Sequence, residues 1–130
     1  MIFIDYIGLI SVEQNNIPRF EQVAFLSKNL QELARELDIP IIALSQLNRS
    51  AEGREPNLAN LREYGALEQD ADIVIFLHRG GEEYRYNYQD NNAGARKVKV
   101  IVAKNRDGYT GIVTMDFVPK YTKFMDVGVG

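Results

Sequence analysis

The apolar residues of the first half of the chain follow two patterns, and their order predicts an α/β fold. Continuous apolar runs lie at residues 2–4 and 41–44, and each run ends in polar residues. Such runs are typical of strands that are buried on both faces of a sheet. Between them, apolar residues from Phe20 to Leu37 recur at three- and four-residue steps, the period of an amphipathic helix. The strands over 2–7 and 40–46 are therefore predicted to be parallel and to form a βαβ unit with this helix.

Local signals mark the ends of the helix and predict further elements. Pro18 is well placed as the first helical residue, and the helix is predicted to end at Asp38-Ile39-Pro40, because a residue before proline avoids helical backbone. The later sequence predicts a short helix or turn at 66–72, a third central strand at 73–77, an exposed excursion at 80–94, a hairpin of strands at 97–104 and 112–118, and a short strand at 123–125. These elements predict a mostly parallel central sheet with an antiparallel C-terminal hairpin.

Composition narrows the class of protein. With 130 residues and 45% hydrophobic content, the chain is large enough for one domain with a core of ordinary size. It has no cysteine, which excludes disulfides and thiolate metal sites. No apolar run reaches membrane-spanning length and the first ten residues lack a basic start, so we expect a cytoplasmic protein without a membrane partner.

Charge is unevenly distributed along the chain. The net charge is −3, which argues against a generic basic nucleic-acid binder. Residues 1–78 are acidic on balance and residues 79–130 are basic, so the later part leaves room for a local basic face. The chain also enters an apolar strand directly after Met1, and no phosphate loop of the GxxxxGK[ST] type occurs in it. We therefore expect a fragment whose earlier half is missing.

Three polar groups are candidates for chemistry. Asp5 follows four apolar residues that begin a strand, and this pattern can place a magnesium-binding carboxylate beside the phosphates of a nucleotide. Ser45-Gln46 follows the second strand, at the edge where open α/β sheets bind ligands. Lys104 and Arg106 lie at the tip of the predicted hairpin and could bind a phosphate. Each group also has an ordinary structural explanation. Asp5 can cap a loop, Ser45-Gln46 can begin a polar loop after a buried strand, and Lys104 and Arg106 can be solvated charges in a turn.

Taken together, several segments resemble the C-terminal RecA-like motor domain of DnaB-type replicative DNA helicases. They match in order and approximate spacing, and they are Ile4-Asp5-Tyr6, the run from Ile41 to Ser50, Leu61-Arg62-Glu63 with Gly65, the run from Glu68 to Ile73, and the run from Ala103 to Gly108. The resemblance implies a partial RecA-like three-layer α/β fold. It also implies that residues 1–130 are a single domain, the C-terminal portion of the helicase ATPase domain without its Walker A segment.

The resemblance further implies a function and partners. The family forms ring-shaped homo-hexamers, hydrolyses ATP with Mg²⁺ between subunits, translocates on single-stranded DNA and unwinds duplexes. Primase and a helicase loader are further expected partners. Because the phosphate loop and the catalytic glutamate of the family would lie upstream of Met1, we expect the isolated chain to lack ATPase activity and to bind no cofactor tightly.

Roles for individual residues also come from the resemblance. Asp5 is similar to the Walker B aspartate, which holds Mg²⁺ through water, and Gln46 to a glutamine that senses the γ-phosphate. Lys104 and Arg106 are similar to a finger pair that enters the nucleotide site of the neighbouring subunit. The residues expected to grip DNA are Arg62, Glu63 and Gly65. The chain departs from the family at Tyr64, where a small residue is usual, at Gly8, where Gln is common, and in its short loop at 11–17.

Two other functions are compatible with parts of the sequence. One is a non-catalytic, truncated DnaB-like module that docks on an intact helicase or on its loader. The other is a recombinase-like or KaiC-like ATPase that shares the RecA core. The combination of Gln46 within Ser45–Ser50 and the Leu61-Arg62-Glu63 segment fits the helicase family better than the recombinases.

Overall fold

The structure is a computed structural model, and it describes residues 1–12, 17–47, 53–79 and 95–127. For residues 62–64 it describes the backbone alone. The predicted excursion at 80–94 and the polar residues 48–50 lie outside the described residues. The helices and strands are β1 (Ile2–Ile4), α1 (Arg19–Leu37), β2 (Ile41–Ala43), α2 (Gly65–Asp70), β3 (Ile73–Arg79), β4 (Arg96–Asn105), β5 (Gly111–Val118) and β6 (Lys123–Asp126).

The chain divides into two compact units, which are described in turn. The first unit comprises Met1–Ser50 and Leu58–Ala71, and the second comprises Ala51–Asn57 and Asp72–Gly130. Strands occur in both units, but the long helix belongs to the first and the antiparallel strands to the second.

In the first unit, β1 and β2 form the predicted parallel pair. Ile2 pairs with Ile41, and the register continues to the end of both strands. The prediction that these strands are buried on both faces is wrong, because Phe3 is 69% exposed and Ile42 is 41% exposed. Side chains alternate between the two faces of a strand, and no described element covers the face that carries these two residues. Burial depends on that neighbouring layer and not on the apolar run itself.

Helix α1 confirms the predicted amphipathic helix, with Pro18 at its N-terminal boundary. Its buried residues are Val23 and Ser27, one turn apart. The Ser27 hydroxyl donates to the carbonyl oxygen of Ala66 at 3.5 Å, and the Gln31 amide donates to that of Asp70 at 2.8 Å. These bonds join α1 to α2, because side chains one turn apart lie on the same face of a helix.

Helix α1 ends where the sequence predicts, and the structure shows how. Asp38 adopts the left-handed conformation, with φ 51° and ψ 46°. Its N–H donates to the carbonyl oxygen of Arg35 at 3.3 Å, and the N–H of Ile39 donates to that of Ala34 at 3.0 Å. This pair of bonds is the Schellman arrangement, which satisfies two of the last carbonyl groups of a helix.

In the second unit, four antiparallel strands form a sheet in the order β3-β4-β5-β6. The predicted hairpin is therefore confirmed as the pairing of β4 with β5. The prediction of a third central strand is wrong for the described sheet, because β3 is an edge strand that pairs with β4 alone. The described strands form one parallel pair and three antiparallel pairs, so the sheet structure is less parallel than predicted.

The two faces of the second sheet differ in burial. Phe76 and Ile101 are cross-strand partners and are 4% and 8% exposed. On the opposite face, Ile75 and Leu77 remain 53% and 61% exposed. A β-bulge interrupts the register between Val74 and Ile75 and leaves one extra residue on β4.

No helix of the described residues is both long and apolar enough to cross a membrane.

Candidate functional site

The first candidate site lies at the carboxyl ends of β1 and β2. Asp5 directly follows β1 and Gln46 follows β2 after two intervening residues, and both side chains are exposed. Main-chain bonds extend beyond the regular strands: the N–H of Leu44 donates to Ile4 and the N–H of Ile7 donates to Leu44, both at 2.9 Å. Because the strands are parallel, Asp5 and Gln46 lie at the same edge of the sheet.

The backbone after Asp5 is held in place by packing and hydrogen bonds. The Asp5–Tyr6 peptide bond is cis. Ile7 is fully buried, and the Arg19 guanidinium donates to the carbonyl oxygen of Gly8 at 2.7 Å. A Cβ at Gly8 would overlap the ring of Tyr6, so this ring packs directly against the backbone of Gly8. Asp5 is therefore an exposed carboxylate on a firmly held segment of backbone.

A third polar group, Ser45 of the predicted Ser45-Gln46 pair, belongs to the same edge. The hydroxyl oxygen of Ser45 is buried and has no hydrogen-bond partner among the described residues. Buried hydroxyl groups nearly always have a partner, so an unsatisfied one next to Gln46 is a signal that only a structure can provide. No described group of three or more His, Cys or acidic residues could hold a metal ion by itself.

The segment expected to contact DNA is helical. Two short 3-10 turns run from Leu58 to Tyr64 and are separated by a kink at Leu61; Arg62 and Glu63 follow the kink, and α2 begins at Gly65. Leu61 is 6% exposed and anchors this segment. A Cβ at Gly65 would meet no atom of the described residues within 4 Å. The short helix predicted at 66–72 is confirmed, with α2 ending at Asp70.

The second candidate site lies in the second unit, where β4 leads into the turn of the β4–β5 hairpin. We call this place the hairpin end. Asn105 ends β4 opposite Ile73, so Asp72 and Arg106 flank this pair of strands on the same side. The N–H of Arg106 donates to the carbonyl oxygen of Asp72 at 2.9 Å, and the guanidinium Nη1 forms an ion pair with Oδ1 of the same residue. Lys104 lies within β4, opposite Val74 and beside the bulge. The hairpin end thus carries the cations Lys104 and Arg106 and the carboxylates of Asp72 and Asp107.

The structure brings the predicted residues together in two groups. Asp5 and Gln46 share an edge in the first unit, and Lys104 and Arg106 share the hairpin end in the second. Asp72 appeared in the sequence only as part of a matching segment, and its pairing with Arg106 was not predicted. No spacing rule connects two residues so far apart in the chain, so only the strand register reveals the pair.

A further ion pair holds a loop against β4. The Lys99 ammonium contacts Oε2 of Glu55 at 2.5 Å, and the adjacent Pro56 is buried. The hydrogen bond from Lys99 is the main cause that lowers the pKa of the Glu55 carboxyl below its ordinary value of 4.5. The segment before the two 3-10 turns is therefore attached to the strand that leads to Lys104 and Arg106.

This lowered pKa predicts a pH-dependent attachment of the loop. The contribution of the pair is present at neutral pH and is lost as the pH falls through the lowered pKa of Glu55, because a protonated carboxyl no longer attracts Lys99. An NMR titration of Glu55 should give a midpoint below 4.5. The midpoint should rise in Lys99→Met and stay unchanged in Lys97→Met, since Lys97 pairs with Asp116 instead. An equal midpoint in all three proteins would contradict the attachment.

Comparison with known proteins gives consistent matches over nearly the whole chain. The family described as DnaB-like helicase C terminal domain matches residues 1–126. The chain is 47% identical to the replicative DNA helicase DnaB of Treponema pallidum (strain Nichols), over 96% of this chain and 26% of that protein. It is 43% identical to the DnaB helicase of Geobacillus stearothermophilus, over 98% of this chain and 28% of that protein. The chain thus spans about a quarter of the length of these relatives.

Solved structures give the same result for the fold. The ATPase domain of G40P superposes with a TM-score of 0.81 and 41% identity, over 97% of this chain and 44% of that one. A DnaB-like replicative helicase, studied with its interactions with primase, superposes with a TM-score of 0.82 and 42% identity, over 97% of this chain and 30% of that one. The RecA-like α/β fold is therefore confirmed. The chain belongs to the family of DnaB-like helicase C-terminal domains.

Proposed function

We propose that this chain is the C-terminal part of a replicative helicase motor that couples ATP hydrolysis between hexamer subunits to translocation on single-stranded DNA and duplex unwinding. The observation that carries the proposal is the shared edge of Asp5 and Gln46 at the ends of two parallel strands. Open α/β sheets bind nucleotides at that edge. The similarity to DnaB helicases over the whole chain supports the choice of reaction.

The groups at the strand edge fit a Mg²⁺–ATP complex. Mg²⁺ keeps several of its waters and takes one or two protein carboxylates together with phosphate oxygens, so it needs no protein cage. Asp5 offers one exposed carboxylate, and the buried hydroxyl of Ser45 has no partner in the part of the chain that the structure describes. Asp5 would hold the ion through water, and the bound ion would neutralise charge on the phosphates.

Gln46 would connect nucleotide state to the DNA-binding segment. Its amide carries two N–H donors, and its exposed position after β2 leaves it accessible to a phosphate oxygen. Donation to a γ-phosphate ends when that phosphate leaves, which is a local change of the kind that drives nucleotide switches. The DNA contacts would come from Arg62, Glu63 and the main chain at Gly65.

Lys104 and Arg106 would act on the neighbouring subunit. Both follow the bulge near the end of β4. Cations at this position would stabilise the negative charge that develops as the γ-phosphoryl group is transferred. A homo-hexamer is needed for this step, since the finger of one subunit completes the site of the next.

The isolated chain is proposed to be inactive. Its sequence contains no GxxxxGK[ST] loop, so another part of the protein must cradle the phosphates. With a net charge of −3, the chain alone should also bind single-stranded DNA weakly and with a steep dependence on salt. We further propose that the complete protein works in the cytoplasm with a loader and with primase, the partner named for one structural relative.

A chimera tests this proposal. Residues 1–126 of this chain replace the matching segment of the Treponema pallidum helicase, which is 47% identical. We expect the chimera to hydrolyse ATP in the presence of single-stranded DNA and to unwind a fork, whereas the 130-residue chain alone hydrolyses none.

Two matched variants make the result specific. In the chimera, Asp5→Asn should abolish hydrolysis, whereas Asp38→Asn makes the same charge change at an exposed helix end and should not. A hexameric chimera that hydrolyses no ATP would overturn the proposal, and so would steady hydrolysis by the isolated chain.

One observation favours a second candidate, a non-catalytic module that docks on an intact helicase or loader. The open face of β3 exposes Ile73, Ile75 and Leu77 by 53–61%. Exposed apolar faces of this kind mark interaction surfaces. Titrating the chain into an intact DnaB helicase distinguishes the two functions: a change in that enzyme's ATPase rate supports docking, and an unchanged rate contradicts it.

A further inference from the structure

Asp72 and Arg106 contact each other through both main chain and side chain. The Arg106 N–H donates to the Asp72 carbonyl at 2.9 Å, and the guanidinium forms an ion pair with the carboxylate. Asp72 immediately precedes β3 and Arg106 immediately follows β4. The main-chain bond therefore extends the strand ladder by one step, and the ion pair fixes the side chain on the same scaffold.

The exposure of this pair indicates what the contact does. The side chains of Arg106 and Asp72 are 44% and 63% exposed, and exposed ion pairs contribute little to the stability of a fold. An unrestrained arginine side chain, however, loses rotamer entropy when it is fixed at a ligand. The pair restricts the guanidinium before any ligand arrives.

We propose that Asp72 is the positioning residue of Arg106. Its carboxylate engages Nη1, one of the two terminal nitrogens, and so sets the direction of the guanidinium fork at the hairpin end. The N–H donors of Nε and Nη2 are then the ones that a phosphate of the neighbouring nucleotide would contact. This inference rests on the proposed function, in which Arg106 acts on ATP bound by the next subunit.

A spectroscopic measurement on the 130-residue chain tests the orientation directly. In the NMR spectrum, the Nε–Hε signal of Arg106 should be resolved from the signals of unrestrained arginines. In Asp72→Asn it should move to the position of those arginines, and Asp72→Glu should restore it in part. Asp107→Asn is the matched control, because it removes an exposed carboxylate next to Arg106, and it should leave the signal in place. An unchanged signal in Asp72→Asn would overturn the proposal.

Activity in the chimera separates this inference from the proposed function. Asp72→Asn should lower kcat by between about 10-fold and 10²-fold, the scale of a misplaced catalytic group, with little change in the KM for ATP. Asp72→Glu should recover part of the loss, and Asp107→Asn should have no effect. If Arg106→Ala abolishes hydrolysis while Asp72→Asn does not reduce it, the positioning role is wrong and the proposed function stands. If Arg106→Ala has no effect, the finger role itself is wrong.

Discussion

Replacing Arg106 with alanine in the chimeric helicase is expected to lower kcat for ATP hydrolysis by about 10³–10⁵-fold, the range typical of an arginine finger. The expectation rests on the position of Arg106 at the end of β4 and on the cationic fork of its side chain. Steady-state ATPase assays with saturating ATP and single-stranded DNA measure the loss. Light scattering on the same samples follows hexamer formation, so that a loss of assembly is distinguished from a loss of the finger.

Two control variants show whether the effect belongs to this position. Arg79→Ala removes an exposed arginine at the last residue of β3, at the opposite end of the β3–β4 strand pair from Arg106, and should leave kcat unchanged. Arg106→Lys keeps the charge but not the planar fork, so it should fall between the alanine variant and the original protein. A loss of less than tenfold in Arg106→Ala would contradict the finger role.

The second large effect is expected for Ile7→Ala, which should lower the free energy of unfolding by about 2–5 kcal/mol. Ile7 is fully buried, and its N–H donates to Leu44 on the neighbouring strand. Truncation removes the buried methyl groups and leaves a cavity beneath the segment that carries Asp5. Urea unfolding of the 130-residue chain, followed by circular dichroism, measures the change.

Leu9→Ala is the matched control for this stability prediction. Leu9 lies two residues further along the same 3-10 turn but is 70% exposed, so its truncation should change the free energy of unfolding by less than about 0.5 kcal/mol. Equal losses in the two variants would show that Ile7 does not anchor the loop after Asp5.

Local patterns were sufficient to predict the elements of the first unit. The three- and four-residue spacing of apolar positions predicted α1, and the strand–helix–strand order predicted that β1 and β2 are parallel. Both features arise from interactions between residues that are close in sequence or from a connection of known handedness. The end of α1 at Asp38 was also predictable from Pro40, although the left-handed conformation of Asp38 was not.

Burial and sheet membership could not be predicted in the same way. The run from Ile73 to Leu77 is apolar enough for a central strand, yet it is the edge of the antiparallel sheet with one face exposed. An apolar run favours a strand, but it does not show which elements pair with that strand or cover its two faces. The exposed face of Phe3 and Ile42 has the same cause.

The candidate sites show a similar division. The rule that ligands bind at the carboxyl ends of parallel strands predicted Ser45-Gln46 as a candidate, and the pattern of an apolar strand that ends in a carboxylate predicted Asp5. The pairs Asp72–Arg106 and Glu55–Lys99, and the unsatisfied hydroxyl of Ser45, depend on contacts between distant parts of the chain. Roles for Arg62 and Glu63 came from the resemblance alone, and these roles remain proposals.

The bulge between β3 and β4 gives this end of the sheet a stronger local twist. Ala103 is the surplus residue between the partners of Val74 and Ile75. Deleting it would pair Val102 and Lys104 with Ile75 and Val74 in an uninterrupted ladder, so Lys104 would stay on the face that it shares with Val74. The deletion would instead reduce the twist of the strand just before Arg106. The length of β4 is therefore expected to set the angle at which its last residues leave the ladder, while the faces of those residues stay the same.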